Sequence, residues 1–257
     1  MKVVLFCGGL GMRLREHSES LPKPLVTVGP RPILWNLMKY YAHYGHRDFI
    51  LCLGHGAEAI KSYFLNYDER LSNDFVLRKG GADVELLARD IDDWTITFVD
   101  TGLRSNIGMR LRAVRSHLEG EEAFLANYAD GLSDLPLDRY LEHFREHRRI
   151  ASMLSVPAPQ TVHMIHAEKS GLVQSIEHVR SSELRMNAGF FAFRREIFDY
   201  IGEGEELVVE PFQRLIQARE LVAYPHDGFW MAMDTFKDKQ HFEALVASGT
   251  TPWQVWR

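Results

Sequence analysis

Along its first 150 residues the chain alternates short, wholly apolar runs with stretches whose apolar residues recur at helical spacing. No other feature of the sequence restricts the fold as much. "KVVLFC" (2–7) is followed, after a loop, by "PILWNLMKYYAHYG" (32–45), helix-spaced and closed by a glycine. "DFILCLG" (48–54) then precedes "AEAIKSYFLNY" (57–67), and "WTITFVDTG" (94–102) precedes "IGMRLRAVRSHL" (107–118). "EAFLANYADG" (122–131) in turn precedes the amphipathic "LDRYLEHFREHR" (137–148). Strands that are apolar on both faces and separated by helices form a parallel sheet covered on both sides. Beyond residue 150 the pattern changes. "IASMLSV", "GLVQSIEHV" and "MNAGFFAF" are short strands without full helices between them, and "VEPFQRLIQAREL" and "TFKDKQHFEALVASG" are helices near the end. Residues 66–92 and 157–170 read as loose connections. The expected fold is α/β, one continuous domain with a β-rich part appended.

The first strand ends in Gly8-Gly9-Leu10-Gly11, with Arg13 close behind and Lys23 set between Pro22 and Pro24. A glycine-rich strand end exposes backbone N–H groups with no side chains in the way, a geometry that cradles phosphate oxygens. Arg13 adds a planar fork of donors, and Lys23 adds a point charge on a backbone that the prolines restrict. A dinucleotide fingerprint would need a glycine at position 14, which is leucine, and an acid for a ribose hydroxyl, which Val26-Thr27-Val28 does not offer. A Walker loop would need Gly-Lys-Ser/Thr at the helix start, and none is present. An idle glycine turn leaves the two cations unexplained.

Two carboxylates stand where a hard cation could be held. Asp130 closes "FLANYAD", at the carboxyl end of an expected parallel strand, and Asp234 is the lone acid of "FWMAMDT". Asp130 could equally belong to an Asp-Gly turn, and Asp234 could cap the helix that follows. Arg110 reads either as a solvated helix charge or as a ligand contact.

"GGLGMRL" with "LPKPLVTVG" resembles the signature of the sugar-1-phosphate nucleotidyltransferases, roughly G-G-x-G-T-R-L followed by P-K-P. "RPILWNLMKYYAHYGHRDFILCLG", "WTITFVDTG", "EAFLANYADGLSDL", "GFWMAMDTFKDK" and "TPWQVW" narrow the resemblance to the glucose-1-phosphate cytidylyltransferase branch, and it spans the whole chain. It implies a Rossmann-like, mostly parallel sheet flanked by helices, with a nucleotide-binding half (about 1–150) and a smaller β-rich acceptor-binding and C-terminal helical part (about 151–257). The implied reaction joins a nucleoside triphosphate, CTP, to a phosphorylated sugar or sugar-like acceptor and releases pyrophosphate. By the same resemblance, Gly8, Gly9, Gly11 and Met12 frame the nucleotide and Arg13 and Lys23 neutralise the triphosphate. Arg110 lies near the nucleotide, Asp130 and Asp234 hold Mg²⁺, and the chain forms a homo-oligomer.

The chain departs from the family in the acceptor half. Met12 stands for the usual threonine, and Asn187-Ala188-Gly189 stands for N-G-G. Glu177-His178-Val179 stands for E-K-P, whose lysine grips the sugar phosphate, and residues near Thr161-Val162-His163 stand for R-F-G. Imidazole is shorter than a lysine and mostly neutral at pH 7. The expectation is therefore an acceptor other than glucose 1-phosphate, oriented by Glu177 and Asn187 beside His163. Its phosphate would be gripped by His178, Arg180 or Arg185. The alternative is a nucleotide-binding or regulatory homologue that has lost catalysis.

Charge and composition limit the remaining classes. A formal net charge of −5 argues against a nucleic-acid-binding role. No run reaches membrane-spanning length, and "MKVVLFCGG" is too short for a signal-peptide core. Cys7 and Cys52, each in an apolar run, suit a reducing, cytoplasmic setting. His143/His147 and His163/His166 have metal-like spacings but no third ligand, and no G-x-S-x-G elbow supports a serine triad.

Overall fold

The computed structural model describes residues 1–9, 21–158, 163–179 and 184–256. In chain order, β1 (Val3–Phe6) leads into the glycines. β2 (Thr27–Val28) and β3 (Arg31–Pro32) pair as a small ribbon that feeds α1 (Ile33–His43). Then come β4 (Asp48–Leu53), α2 (Ala57–Leu65), a hairpin of β5 (Phe75–Arg78) and β6 (Asp83–Leu86), β7 (Thr95–Asp100) and α3 (Ile107–Ala113). β8 (Ala123–Tyr128), β9 (Gly131–Ser133) and α4 (Leu137–His147) follow. The second half holds β10 (Ala151–Pro157), β11 (His163–Ala167), β12 (Val173–His178) and β13 (Arg185–Arg194). It ends with α5 (Glu210–Gln217), β14 (Leu221–Pro225), β15 (Trp230–Ala232) and α6 (Phe236–Ala247).

Seven strands form the central sheet in the order β14-β10-β13-β8-β1-β4-β7. β8, β1, β4 and β7 run parallel, as do β10 and β14, while β13 runs antiparallel to both its neighbours. Strands from both halves of the chain thus share one sheet. Its faces follow from the period of two along β1. Val3, Leu5 and Cys7 pack into a core with α1, α2, α4 and α6, whereas Val4 and Phe6 pack into a second core with α3 and α5. All five side chains are buried. A fully buried side chain of this kind contributes roughly 1.5–3 kcal/mol over an exposed one, which is why β1 tolerates no polar residue.

Three expectations from periodicity are corrected, one of them the loose reading of 157–170, which holds β11 (His163–Ala167). The stretch 66–92 contains the β5–β6 hairpin; its strands are half to fully exposed, so they show none of the apolar continuity that marked the others. The helix reading of 209–221 also runs too far, into the start of β14 at Leu221. α5 stops at Gln217, and Arg219 takes a positive φ of 60° that turns the chain into the sheet edge.

Candidate active site

The carboxyl ends of β1 and β4 meet at a guanidinium. Arg110, on α3, is 3% exposed, which corrects the reading of a solvated helix charge. Its Nη1 donates to the Leu53 carbonyl (3.0 Å) and the Thr101 hydroxyl (2.7 Å), and Nη2 donates to the Gly8 carbonyl (2.8 Å). Burial pulls its pKa below the usual arginine value, with the far-from-neutral starting point keeping it charged. Gly8 and Gly54 make this possible: a Cβ on Gly8 would lie 2.2 Å from Nη1, and one on Gly54 would lie 2.7 Å away. Arg110 therefore braces the glycine stretch from below. Gly9, with nothing near its missing Cβ, faces the open side.

That open side is a cavity of about 300 Å³, lined by Phe6, Cys7, Gly9, Lys23, Pro24, Ile107, Tyr128, Ala129, Asp130 and Asp234. The volume lies at the lower end of small-ligand sites. Lys23 enters it from a short 3₁₀ turn, Lys23–Leu25, in which the Leu25 N–H reaches the Pro22 carbonyl at 2.8 Å. Pro22 is seated against Gly56, where a Cβ would come within 2.6 Å of its ring. Pro24 and Leu25 are buried, so the backbone that carries the lysine is pinned on both sides.

Asp130 and Asp234 are 104 residues apart and are brought together by a short antiparallel pairing. β15 lies against β9 with Ala232 opposite Gly131, and the Met233 N–H donates to the Asp130 carbonyl at 2.8 Å. Each carboxylate projects from the end of that ribbon onto Lys23. Nζ donates to Asp130 Oδ2 at 2.7 Å and to Asp234 Oδ1 at 2.6 Å. Burial alone would lower the pKa of Lys23, but the two carboxylates outweigh it and the net shift is upward. Asp234 is not the cap of α6. Thr235 is, in a reciprocal box with Asp238, which leaves the Asp234 carboxylate to the cavity.

The acceptor-side candidates lie on the neighbouring β-rich part. Asn187 accepts from the Gly189 N–H at 2.9 Å, and Gly189 has a φ of 77° and packs on the Tyr128 ring. The Trp230 indole N–H holds the Ala188 carbonyl at 2.9 Å, tying this turn to β15 and so to Asp234. His163 and His178 are cross-strand partners in the β11–β12 hairpin, their rings 5.2 Å apart and nearly perpendicular, and Glu177 is exposed beside them. Arg185 departs from expectation. It donates to the Ser155 carbonyl (2.8 Å) and hydroxyl (3.2 Å), the His226 carbonyl (2.9 Å) and Asp227 (2.9 Å), so it braces β10 rather than standing free for a phosphate. Gly11, Met12, Arg13, Thr161, Val162 and Arg180 lie outside the described residues.

Three contributors were not singled out from the sequence. Gly54 and Thr101 hold Arg110, and Tyr128 lines the cavity, its hydroxyl pKa raised by burial. A sequence signal exists for one of them: two successive strands, β1 and β4, both end in glycine. Cys7 and Cys52 are buried free thiols. Burial raises both pKa values, that of Cys52 to about 12, so neither is a nucleophile at neutral pH.

No family model matches the chain. Among curated proteins, it is 36% identical over 258 residues to the glucose-1-phosphate cytidylyltransferase of Salmonella typhimurium, covering 100% of both chains. It is 24% identical over 216 residues to the UTP–glucose-1-phosphate uridylyltransferase of Synechocystis, covering 80% of this chain and 52% of that one. Among solved structures, a UDP-glucose pyrophosphorylase complexed with UDP-glucose superposes with a TM-score of 0.70 at 13% identity, covering 96% and 98% of the two chains. HddC from Yersinia pseudotuberculosis gives 0.64 at 16% identity, covering 95% and 99%. The structural likenesses establish the shared Rossmann-like fold, and the full-length identity to the Salmonella protein carries the assignment further. The chain belongs to the glucose-1-phosphate cytidylyltransferase family, a branch of the sugar-1-phosphate nucleotidyltransferases.

Proposed function

We propose that this nucleotidyltransferase moves the cytidylyl group of CTP onto a sugar 1-phosphate or sugar-like phosphate, giving a CDP-linked product and pyrophosphate. The observation that carries this reading is the Lys23 ammonium held between Asp130 and Asp234 in the cavity at the end of β1. A phosphate oxygen of the acceptor, already ionised at neutral pH, attacks the α-phosphorus. The bond to the pyrophosphate oxygen breaks, and no general base is needed. The difficulty is charge, because two anions must meet. Lys23 and Arg13 supply positive charge to the triphosphate, and Gly8, Gly9 and Gly11 supply backbone N–H donors, with Gly8 braced by Arg110. Met12 contributes its backbone there. Glu177 and Asn187 orient the acceptor.

Two carboxylates converging on one cationic centre are a donor set that suits a hard divalent cation. Mg²⁺ is commonly held by one or two carboxylates together with water and substrate phosphates. Asp130 and Asp234 would hold that ion, and it would neutralise the triphosphate and polarise its oxygens when bound. A binding protein without catalysis is the weaker reading, because the lysine and both carboxylates are retained.

The acceptor is a phosphate ester other than glucose 1-phosphate, gripped by Arg180 or by His178 with His163 beside it. The support is the Glu177-His178-Val179 segment and the prior engagement of Arg185. No helix among the described residues is long and apolar enough to cross a membrane. The two buried free thiols suit a reducing, cytoplasmic setting and the net charge of −5 speaks against a nucleic-acid partner; the homo-oligomer is proposed from the family resemblance alone. The test is pyrophosphate release with each nucleoside triphosphate against a panel of phosphorylated sugars and cyclitols. CTP with a non-glucose acceptor is expected to turn over fastest, and efficient turnover of glucose 1-phosphate would overturn the acceptor assignment.

A further inference from the structure

We infer that Lys23 keeps the Asp130–Asp234 site closed to divalent cations until nucleotide arrives, so that the free protein is a poor metal binder by construction. The inference rests on the transferase reading above and extends it to the order in which charges assemble.

Lys23 is doubly engaged. Its ammonium takes one oxygen from each carboxylate, at 2.7 and 2.6 Å, the short end of charge-assisted hydrogen bonds. A Mg²⁺ ion bonds oxygen at about 2.0–2.1 Å and would draw on the same two carboxylates. Ion and ammonium would then sit against the same pair of carboxylates, and in a partly buried site their mutual repulsion is weakly screened. The Lys23 side chain is 16% exposed, against 29% and 49% for Asp130 and Asp234, so the lysine sits on the inner side of the pair. A cation entering from solvent therefore meets carboxylates whose charge a buried ammonium already offsets.

The same geometry supplies the release. The backbone of Lys23 is fixed by Pro22 on Gly56 and by buried Pro24 and Leu25, so only the four-carbon stem needs to rotate. The cavity into which it can rotate is bounded on its other side by Gly9 and Phe6, beside the glycine stretch that would cradle phosphates. A triphosphate there offers the ammonium an alternative set of anionic oxygens. Once the lysine turns to it, the two carboxylates are left without a counter-charge and become a metal site. Metal and nucleotide thus enter together, and Lys23 exchanges partners rather than being newly desolvated.

The experiment measures Mn²⁺ binding to the nucleotide-free protein, by the loss of the free-ion electron paramagnetic resonance signal. Wild type, Lys23→Met, Lys23→Gln and the double variant Lys23→Met/Asp234→Asn are compared, with thermal melts to establish folding. Both single variants keep the stem length approximately and remove the charge, so either one suffices if the other folds poorly. They are expected to bind Mn²⁺ at least tenfold more tightly than wild type, about 1.4 kcal/mol, and the double variant is expected to lose that gain. Equal affinity in wild type and a folded Lys23 variant would overturn the inference. So would a gain that survives loss of the Asp234 carboxylate. Pyrophosphate release by the wild type, measured separately, tests the transferase reading. Intact turnover combined with equal Mn²⁺ affinities would overturn the metal exclusion alone.

Discussion

Replacing Gly8 by alanine puts a methyl carbon 2.2 Å from Nη1 and 2.3 Å from Cζ of Arg110, well inside contact distance. The guanidinium is the far end of a flexible chain, but it is enclosed and has nowhere comparable to go. To make room it must leave Leu53, Thr101 and the Gly8 carbonyl. Overpacking of this kind costs about 1–3 kcal/mol, and stripping partners from a buried charge costs about 3–5 kcal/mol. Because Arg110 can relax in part, the expected loss is ~2–4 kcal/mol. For a chain of this size that lowers Tm by roughly 5–15 °C. The assay is a double-mutant cycle by urea unfolding, with Gly8→Ala, Arg110→Ala and the pair. Once Arg110 is truncated the methyl has space, so Gly8→Ala should then cost less than about 1 kcal/mol, and the coupling should exceed ~1 kcal/mol. Strictly additive effects, or a Gly8→Ala protein melting with the wild type, would refute the view that Gly8 is glycine because of Arg110.

Asp234→Asn should lower kcat on the order of 10²-fold or more while shifting Tm by only a few degrees, since its carboxylate is half exposed and Thr235 caps the helix; steady-state pyrophosphate release and a melt read both. Gly189→Ala would strain a φ of 77° and press a methyl 2.5 Å from the Tyr128 ring. It should raise KM for the acceptor more than KM for the nucleotide in a two-substrate analysis. His46 lies 3.3 Å from the N-terminal amine, and burial, then that amine, lowers its pKa from 6.5 to about 4. The neutral ring is therefore the folded form. Its contribution, on the order of 1–2 kcal/mol after screening, is present above pH 6.5 and lost as pH falls towards 4. Urea titrations at several pH values should show that slope in the wild type and a flatter one in His46→Gln.

The first half of the fold was legible because most of its sheet strands are buried on both faces and its helices carry apolar stripes. Short-range periodicity therefore marks each element. Lys23 stood out equally: two flanking prolines and the glycine run are local facts, and the structure sets its ammonium against two carboxylates. The β5–β6 hairpin escaped because half-exposed strands of 4 residues carry too little alternation to stand out from a loop. Arg110 was ambiguous for a different reason. Whether a helical arginine faces solvent or the core depends on what the neighbouring strands leave open, and here two glycines leave a space of its own shape. Which aspartate meets which was likewise beyond local reading. Asp130 and Asp234 each had an ordinary explanation as a turn or a cap, and only the β9–β15 pairing, across about a hundred residues, aims both at one ammonium. What the sequence alone determined is the order of the buried strands and the helices between them, with the charged residues set at their ends. The tertiary structure decided which charges face one another, because that follows from long-range strand pairing and close packing, neither of which leaves a period in the chain.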